Sequence, residues 1–450
     1  MQILEKKAFS SRQIYYLLPI VICAIILSGW LAGYRTPSKA AYAEDYFSAG
    51  VYRTGASTDR LVSSLQTRLR EHPEDWQAYS QLGMAYLQKA RETGDPSFYQ
   101  KAEAALGEAL SRQPDDYASI SSMGALALAR HQFQAALEWG ERALAINPSR
   151  SYAYGVLADA QIELGLYEEA VLTLQKMVDL RPDMSAFARI SYLRELHGDT
   201  EGALEMMQMA VDSGVPLNET AAWTRTQLGH LYFNRGKLEK AEIEYRRTLL
   251  DYPGYVYALA GLGRVRAAGG QVDEAISYLT QAIETVPLPE FVILLADVYQ
   301  VSGQVEAARE QHDLLGVIRK LYEANGVDMD MEIALFNADH DLDLESTLLK
   351  AREAFERRPG VHGADVLAWT YYKSGQYEEA RFYSDQALRL GSQDALMLFH
   401  SGMIHYRLGD RDQAQVDLER ALAINPHFSI LHVVVAQRIL DELKSTSPGN

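Results

Sequence analysis

Cysteine is almost missing from this 450-residue sequence: Cys23 is the only one. That excludes an internal disulfide framework and any zinc or iron–sulfur site built on several thiolates. Positive charge is also short. Forty-three lysines and arginines stand against 60 aspartates and glutamates, a net charge of −17. A phosphate backbone would repel such a chain, so no nucleic-acid partner is expected. Catalytic signatures are missing too. There is no G-x-S-x-G and no H-E-x-x-H. Gly236-Lys237 runs into Leu238 without the upstream glycine of a phosphate loop, and Arg266 stands where a dinucleotide motif begun at Gly261 needs its third glycine. Apolar residues are not short. At 48% hydrophobic the chain is too apolar to be disordered. At roughly 100–200 residues per domain, length alone suggests about three domains.

The N-terminus reads as a membrane segment. Ile14 to Gly33 carries no charged side chain. Twenty residues at about 1.5 Å each cover the roughly 30 Å hydrocarbon core. Tyr15, Tyr16, Trp30 and Tyr34 sit near the ends of the stretch, where amphipathic rings favour the interface. Lys6, Lys7 and Arg12 precede it and Arg35 and Lys39 follow, a bias that places residues 1–13 in the cytoplasm and the body outside it. The alternative is a signal peptide cleaved near Ala41-Tyr42-Ala43, which would leave a secreted or periplasmic body. The stretch is long for a signal core, so an anchor at 14–34 is the preferred reading. Residues 35–56 then form a linker. The first 34 residues carry +2 and the rest −19. An acidic body of this kind stands off an anionic bilayer rather than lying on it.

The remainder is one repeat with a period of 34. A small residue recurs at Gly83, Gly124, Ala158, Ser191, Gly229, Gly263, Ala296, Ala368 and Gly402, with Leu335 the exception in ten units. Alanine recurs twelve residues later, from Ala136 to Ala414, with Thr347 in the eighth unit. The first unit reaches Ala102 through a seven-residue insertion, "RETGDPS". Nine alanines in ten units at one position, where composition would give about one, exclude coincidence. Prolines such as Pro114, Pro148, Pro182, Pro253 and Pro426 close the units, because proline cannot continue a helical ladder. The physical reading is a pair of antiparallel helices per unit, crossing where side chains are small. Each pair then buries its apolar face against its neighbours.

The spacing of Leu82-Gly83, Tyr86, Ala102, Leu106, Ala109 and Pro114, and of Leu228-Gly229, Tyr232, Ala241, Tyr245 and Pro253, resembles the tetratricopeptide repeat. The resemblance spans a half unit at 57–74, ten units at 76–427 and a capping helix at 428–444, leaving 445–450 as a tail. It implies an all-α fold, a right-handed superhelical solenoid of about ten helix-turn-helix units, elongated and held by local contacts. It also implies a concave surface that binds proteins or peptides, and no chemistry. The first helix of each pair would line that surface, placing Tyr152, Asp159, Tyr192, Trp223, His230, Phe233, Tyr257, Arg264, Trp369, Tyr372, Phe399 and Tyr406 inward. Aromatic rings with polar tips suit capture of extended peptide or sugar. The lysine and asparagine clamp with which some family members hold chaperone tails is absent; Ser80, Met84, Ser121, Ala125, Gly155 and Asp159 stand there.

Anchor, linker, repeats and cap leave no room for a catalytic domain, so no enzyme, cofactor or small-molecule substrate is expected. The alternating acids Asp339, Asp341, Asp343 and Glu345 suggest a calcium loop, but Leu344 and Lys350 stand where it needs glycine and glutamate. A turn in which Asp341 or Asp343 caps the next helix is the preferred reading; cation binding there is left open. His400 and His405 are five apart, as are His427 and His432, which is wrong for one helical face. Packing roles and no metal site are expected for them. The functional expectation is a membrane-anchored interaction scaffold outside the cytoplasm. Its alternative is a sensor or accessory module for a small ligand or glycan.

Overall fold

The computed structural model describes residues 55–215 and 217–445. The expected anchor at 14–34, nearly all of the linker and the tail beyond 445 lie outside the described residues. Among the described residues no helix is long and apolar enough to cross a membrane.

Those residues form 22 helices. A lone α1 (Gly55–Glu71) precedes ten pairs. These are α2 (Trp76–Thr93) with α3 (Ser97–Arg112), α4 (Tyr117–Ala129) with α5 (Phe133–Ile146), and α6 (Ser151–Glu163) with α7 (Tyr167–Leu180). Next come α8 (Met184–Leu196) with α9 (Thr200–Asp212), α10 (Glu219–Asn234) with α11 (Leu238–Asp251), and α12 (Val256–Ala268) with α13 (Val272–Thr285). The last four are α14 (Pro289–Val301) with α15 (Val305–Ala324), α16 (Asp330–Asp339) with α17 (Leu344–Arg357), α18 (Val361–Lys373) with α19 (Tyr377–Ala387), and α20 (Ala395–Leu408) with α21 (Arg411–Ile424). The chain then closes with α22 (Val433–Ser445).

The repeated small residues are the crossing points. Ala102, Ala136, Ala170, Ala203, Ala241, Ala275, Ala380 and Ala414 have no exposed surface. Four residues after the alanine a large side chain lies across the glycine of the first helix. A Cβ on Gly83 would come within 2.5 Å of Leu106, one on Gly263 within 2.7 Å of Leu279, and one on Gly402 within 2.8 Å of Leu418. On Gly229 it would collide with the ring of Tyr245, itself wholly buried. The glycine therefore sets how closely two helices approach, and the leucine or tyrosine fills the space this opens. Ser191 replaces that glycine in the fourth unit and donates its hydroxyl hydrogen to the Ala203 carbonyl at 2.7 Å. Aspartate and asparagine start many helices: Asp75, Asp116, Asp183, Asn218 and Asp394 each accept backbone N–H bonds at the first turn.

The contacts are not only local. The turn inside each of the first five pairs packs on the loop leaving the pair five units later. In the first rung, Gly94 meets Val286. In the second, the Asp328 N–H donates to the Arg130 carbonyl at 3.0 Å and Gln132 donates to the Gly326 carbonyl at 3.0 Å. In the third, the Val361 N–H donates to the Tyr167 phenol at 2.8 Å, and Arg358 pairs with Glu163 at 2.5 Å. In the fourth, Gly198 abuts the Gly391 carbonyl. In the fifth, Asn425 Nδ2 donates to the Phe233 carbonyl at 3.0 Å and Pro426 covers Gly236. Helix α15, 20 residues against 14 for α13 and α17, brings Tyr322 within 3.3 Å of the Gly94 carbonyl oxygen. The expectation of mostly local neighbours holds, since the principal helix contacts join helices adjacent in the chain. The rungs add turn-to-loop contacts between units five apart, because uniform units return the chain to the same edge every five steps.

Gly198 tests this ladder. It has φ +74°, and a Cβ would strike the Gly391 carbonyl; Gly375 has φ +77° at the equivalent turn, with open space around it. Alanine in that backbone conformation costs about 1–2 kcal/mol at either site. Gly198→Ala is expected to cost at least about 1 kcal/mol more than Gly375→Ala, read as a larger fall in melting temperature. Equal falls would mean that the rung contributes nothing.

Candidate functional site

The first helices carry the residues expected to face inward. Tyr152, near the start of α6, remains 48% exposed, and Trp223 on α10 remains 39% exposed. The Tyr152 phenol is pushed upward by the protein around it, despite its exposed surface. Asp159 faces Arg189 of α8 in a two-point pair, at 2.8 Å from Nε and 2.7 Å from Nη2. Burial raises the Asp159 carboxyl and the guanidinium opposes the rise. The other inward polar groups are likewise engaged. His230 Nδ1 lies 2.8 Å from the Tyr245 hydroxyl. Tyr406 donates to Glu442 of α22 at 2.7 Å. Tyr192 lies parallel to His362, Tyr257 packs edge-on against Phe291, and Tyr372 stacks on Trp369.

Three expected groove residues are corrected. Phe233, Trp369 and Phe399 are only 1%, 3% and 1% exposed. Phe233 lies beneath Arg264, whose guanidinium carbon is 4.0 Å from the ring centroid, and its carbonyl takes the last rung. Trp369 lies between Tyr372 and His400. Phe399 is covered by Phe428 and His432, from the segment before α22. The repeat register puts these positions on first helices, but it does not say which side chains of the next unit cover them.

The acidic turn is corrected as well. Asp343 has φ +39°, and its side chain makes no capping bond; a cap needs extended backbone. Asp341 takes a left-handed conformation and pairs with Lys373 at 2.8 Å. Asp339 turns inward instead, toward His400 and His432. No local spacing announces that convergence, because the three residues come from different units.

Where the fourth and fifth rungs meet, a cavity of about 260 Å³ opens, lined by Tyr192, Glu195, Arg235, Arg264, His362 and Asp394 among others. Burial lowers the Arg264 guanidinium, and Tyr245 and Asp394 act in the opposite direction. Arg264 makes no ion pair among the described residues. The Asp394 carboxylate is committed to the N–H groups of Leu396 and Met397 at 2.8 and 3.0 Å. Burial raises the Glu195 carboxyl, and Asn234 donates to it at 3.3 Å. The cavity can hold a small polar group against a cation and an amide donor.

Family patterns described as tetratricopeptide repeat match residues 127–193, 226–288 and 366–427. That family is one of repeat scaffolds, generally non-catalytic. "Cellulose synthase operon protein C" of Komagataeibacter xylinus is 24% identical over 305 residues, as is its namesake from Komagataeibacter sucrofermentans. Each match covers 66% of this chain and 22% of the relative, so the chain spans about a fifth of those proteins. Among solved structures, a human IFIT1 dimer with PPP-AAAA is 16% identical, covering 70% of this chain and 73% of the other at a TM-score of 0.46. The APC/C hetero-tetramer Cut9-Hcn1 is 14% identical, covering 94% and 98% at 0.37. MamA is 23% identical, covering 38% and 91% at 0.28.

His230 supplies a pH test. Burial first, and the Arg264 charge second, push its imidazole down to about 3. Unfolded, the ring takes up a proton below about pH 6.5. A depressed folded value means that the stability tied to neutral His230 is complete above pH 6.5 and is lost as pH falls toward 3. His230→Gln lowers the melting temperature at pH 7 by removing the bond to Tyr245. The gap to the native chain is expected to narrow between pH 6.5 and 4. A gap independent of pH would show that His230 titrates normally.

Proposed function

We propose that the chain, whose paired helices and family matches resemble the tetratricopeptide repeat, is a non-catalytic scaffold for partner proteins. Residues 14–34 anchor it in the membrane and the body works outside the cytoplasm. The charge-free apolar run and the basic residues before it support the anchor. One observation carries the scaffold reading. Tyr152 and Trp223, both six residues before the small residue of their unit, keep exposed rings on first helices, while Phe233, Trp369 and Phe399, at other positions of first helices, are buried. Large aromatics left open at a repeat's binding face act as anchors for a partner segment. The net charge of −19 on residues 35–450 favours a neutral or basic segment over an acidic one. The relatives' name, "Cellulose synthase operon protein C", supports a role beside polysaccharide synthesis.

The test is photocrosslinking from position 152 or 223 in intact membranes. One identified protein should be captured from both positions, and capture from 152 should fall several-fold in Trp223→Ala at an unchanged melting temperature. No adduct from either position would end this reading.

A second reading, a ligand-binding accessory module, rests on the cavity beside Arg264. It expects a small anion or acidic sugar to raise the melting temperature, and Arg264→Gln to abolish the rise. Trp369→Ala is no probe of binding, since Trp369 is core.

A further inference from the structure

The C-terminal segment carries a cluster that neither the repeat nor the scaffold reading uses. Asp339 ends α16, His400 lies in the middle of α20, and His432 immediately precedes α22. One donor atom from each lies within 4.8 Å of the other two. His432 Nε2 is 2.9 Å from Asp339 Oδ1. His400 is wholly buried, and its Nε2 has no hydrogen-bond partner. Its other ring nitrogen, Nδ1, faces both oxygens of Asp365 at 3.0 and 3.1 Å. A carboxylate accepts, so Nδ1 carries a hydrogen and Nε2 is the ring nitrogen left without a partner. A buried polar nitrogen without a partner is costly and rare in a native structure.

We propose that Asp339, His400 and His432 bind one divalent transition metal of the zinc class, which ties the C-terminal segment to units eight and ten. Two imidazoles and a carboxylate are a donor set that zinc accepts, with a fourth position left for water. Metal–ligand bonds of about 2.0–2.2 Å place tetrahedral donors about 3.4 Å apart, so shifts of about an ångström close the site. The supporting shell is already in place. Asp365 orients His400 in the carboxylate–histidine–metal arrangement, and Trp369 Nε1 donates to Asp339 at 2.7 Å. The Trp369 ring stacks on His400 at 4.2 Å and Phe399 stacks on His432 at 5.0 Å, fixing both planes. Asp339 and His432 keep side-chain exposures of 18% and 11%, which gives the ion an entry path. Two carboxylates, Asp339 and Asp365, face this small volume, and a dication balances them. The metal ties together three segments far apart in sequence, the end of α16, the middle of α20 and the residue before α22. The scaffold proposal does not depend on it.

The experiment uses the full untagged chain, stripped with a chelator and then titrated with zinc or cobalt. One equivalent should bind with a dissociation constant below about 10 µM and raise the melting temperature by several degrees. Cobalt should give the visible absorption of a four- or five-coordinate ion. His432→Gln or Asp339→Asn should weaken binding at least 100-fold, and Asp365→Asn 10- to 100-fold. X-ray absorption of the zinc-bound native chain reads the ligands without any variant, and should show two imidazoles. No binding, binding unchanged in both ligand variants, or a zinc shell without imidazole would each overturn the site. The cluster would then be a hydrogen-bonded packing network.

Discussion

The structure depends on the missing Cβ at the helix crossing. With glycine at 83, 229, 263 or 402, the paired helix can lay a leucine or tyrosine directly across the backbone. The alanine four residues earlier must be small for the same reason, and eight such alanines have no exposed surface. Because the same crossing recurs, successive units have nearly the same thickness and rotation. Uniformity is what brings the turns of units one to five onto the loops leaving units six to ten. The departures from uniformity occur where a rung needs them. The longer α15 carries Tyr322 to the Gly94 carbonyl, and Ala324 accepts from Gln100 at 3.0 Å.

The pairing of helices was legible because it is written in side-chain type at a fixed period. Alanine and glycine at the crossings cannot be exchanged for larger residues without opening the pair. The rungs were illegible because nearly every one has backbone as one of its two partners. The Asp328 N–H, the Arg130 carbonyl and the Gly391 carbonyl leave no trace in residue identity. Their partners lie nearly two hundred positions away, beyond any periodicity. Three groove residues were misplaced for a nearer reason: register alone leaves Phe233, Trp369 and Phe399 open, and Arg264, His400, Phe428 and His432, about one repeat further on, cover them. The acidic turn failed for a local reason. Asp343 has the composition of a cap but a left-handed backbone, so its carboxylate cannot reach the helix it precedes.

The inward face is polar by sequence yet nearly neutral in effect. Asp159 is matched by Arg189, His230 is held neutral against Tyr245, and Asp365 is matched by His400. Most of the body's negative charge therefore lies elsewhere, on the outer helices and loops. A partner at Tyr152 or Trp223 meets aromatic surface rather than a charged wall. The metal-type cluster belongs to a different part of the molecule and acts on architecture rather than recognition.

The rungs also change how this chain must fold. An open repeat array can nucleate anywhere and zip outward, since every contact is made with a neighbour. Here the surfaces of the first five units remain half-made until the last five have been synthesised. At about 5–20 residues per second of translation, the Asp199 turn waits roughly ten to forty seconds for Gly391 to appear. Pairing over such separations raises the contact order and slows the final step. In return, the ends are no longer free to fray: losing the last unit would strip the fifth turn of its cover, so damage at the C-terminus is felt in the middle of the chain.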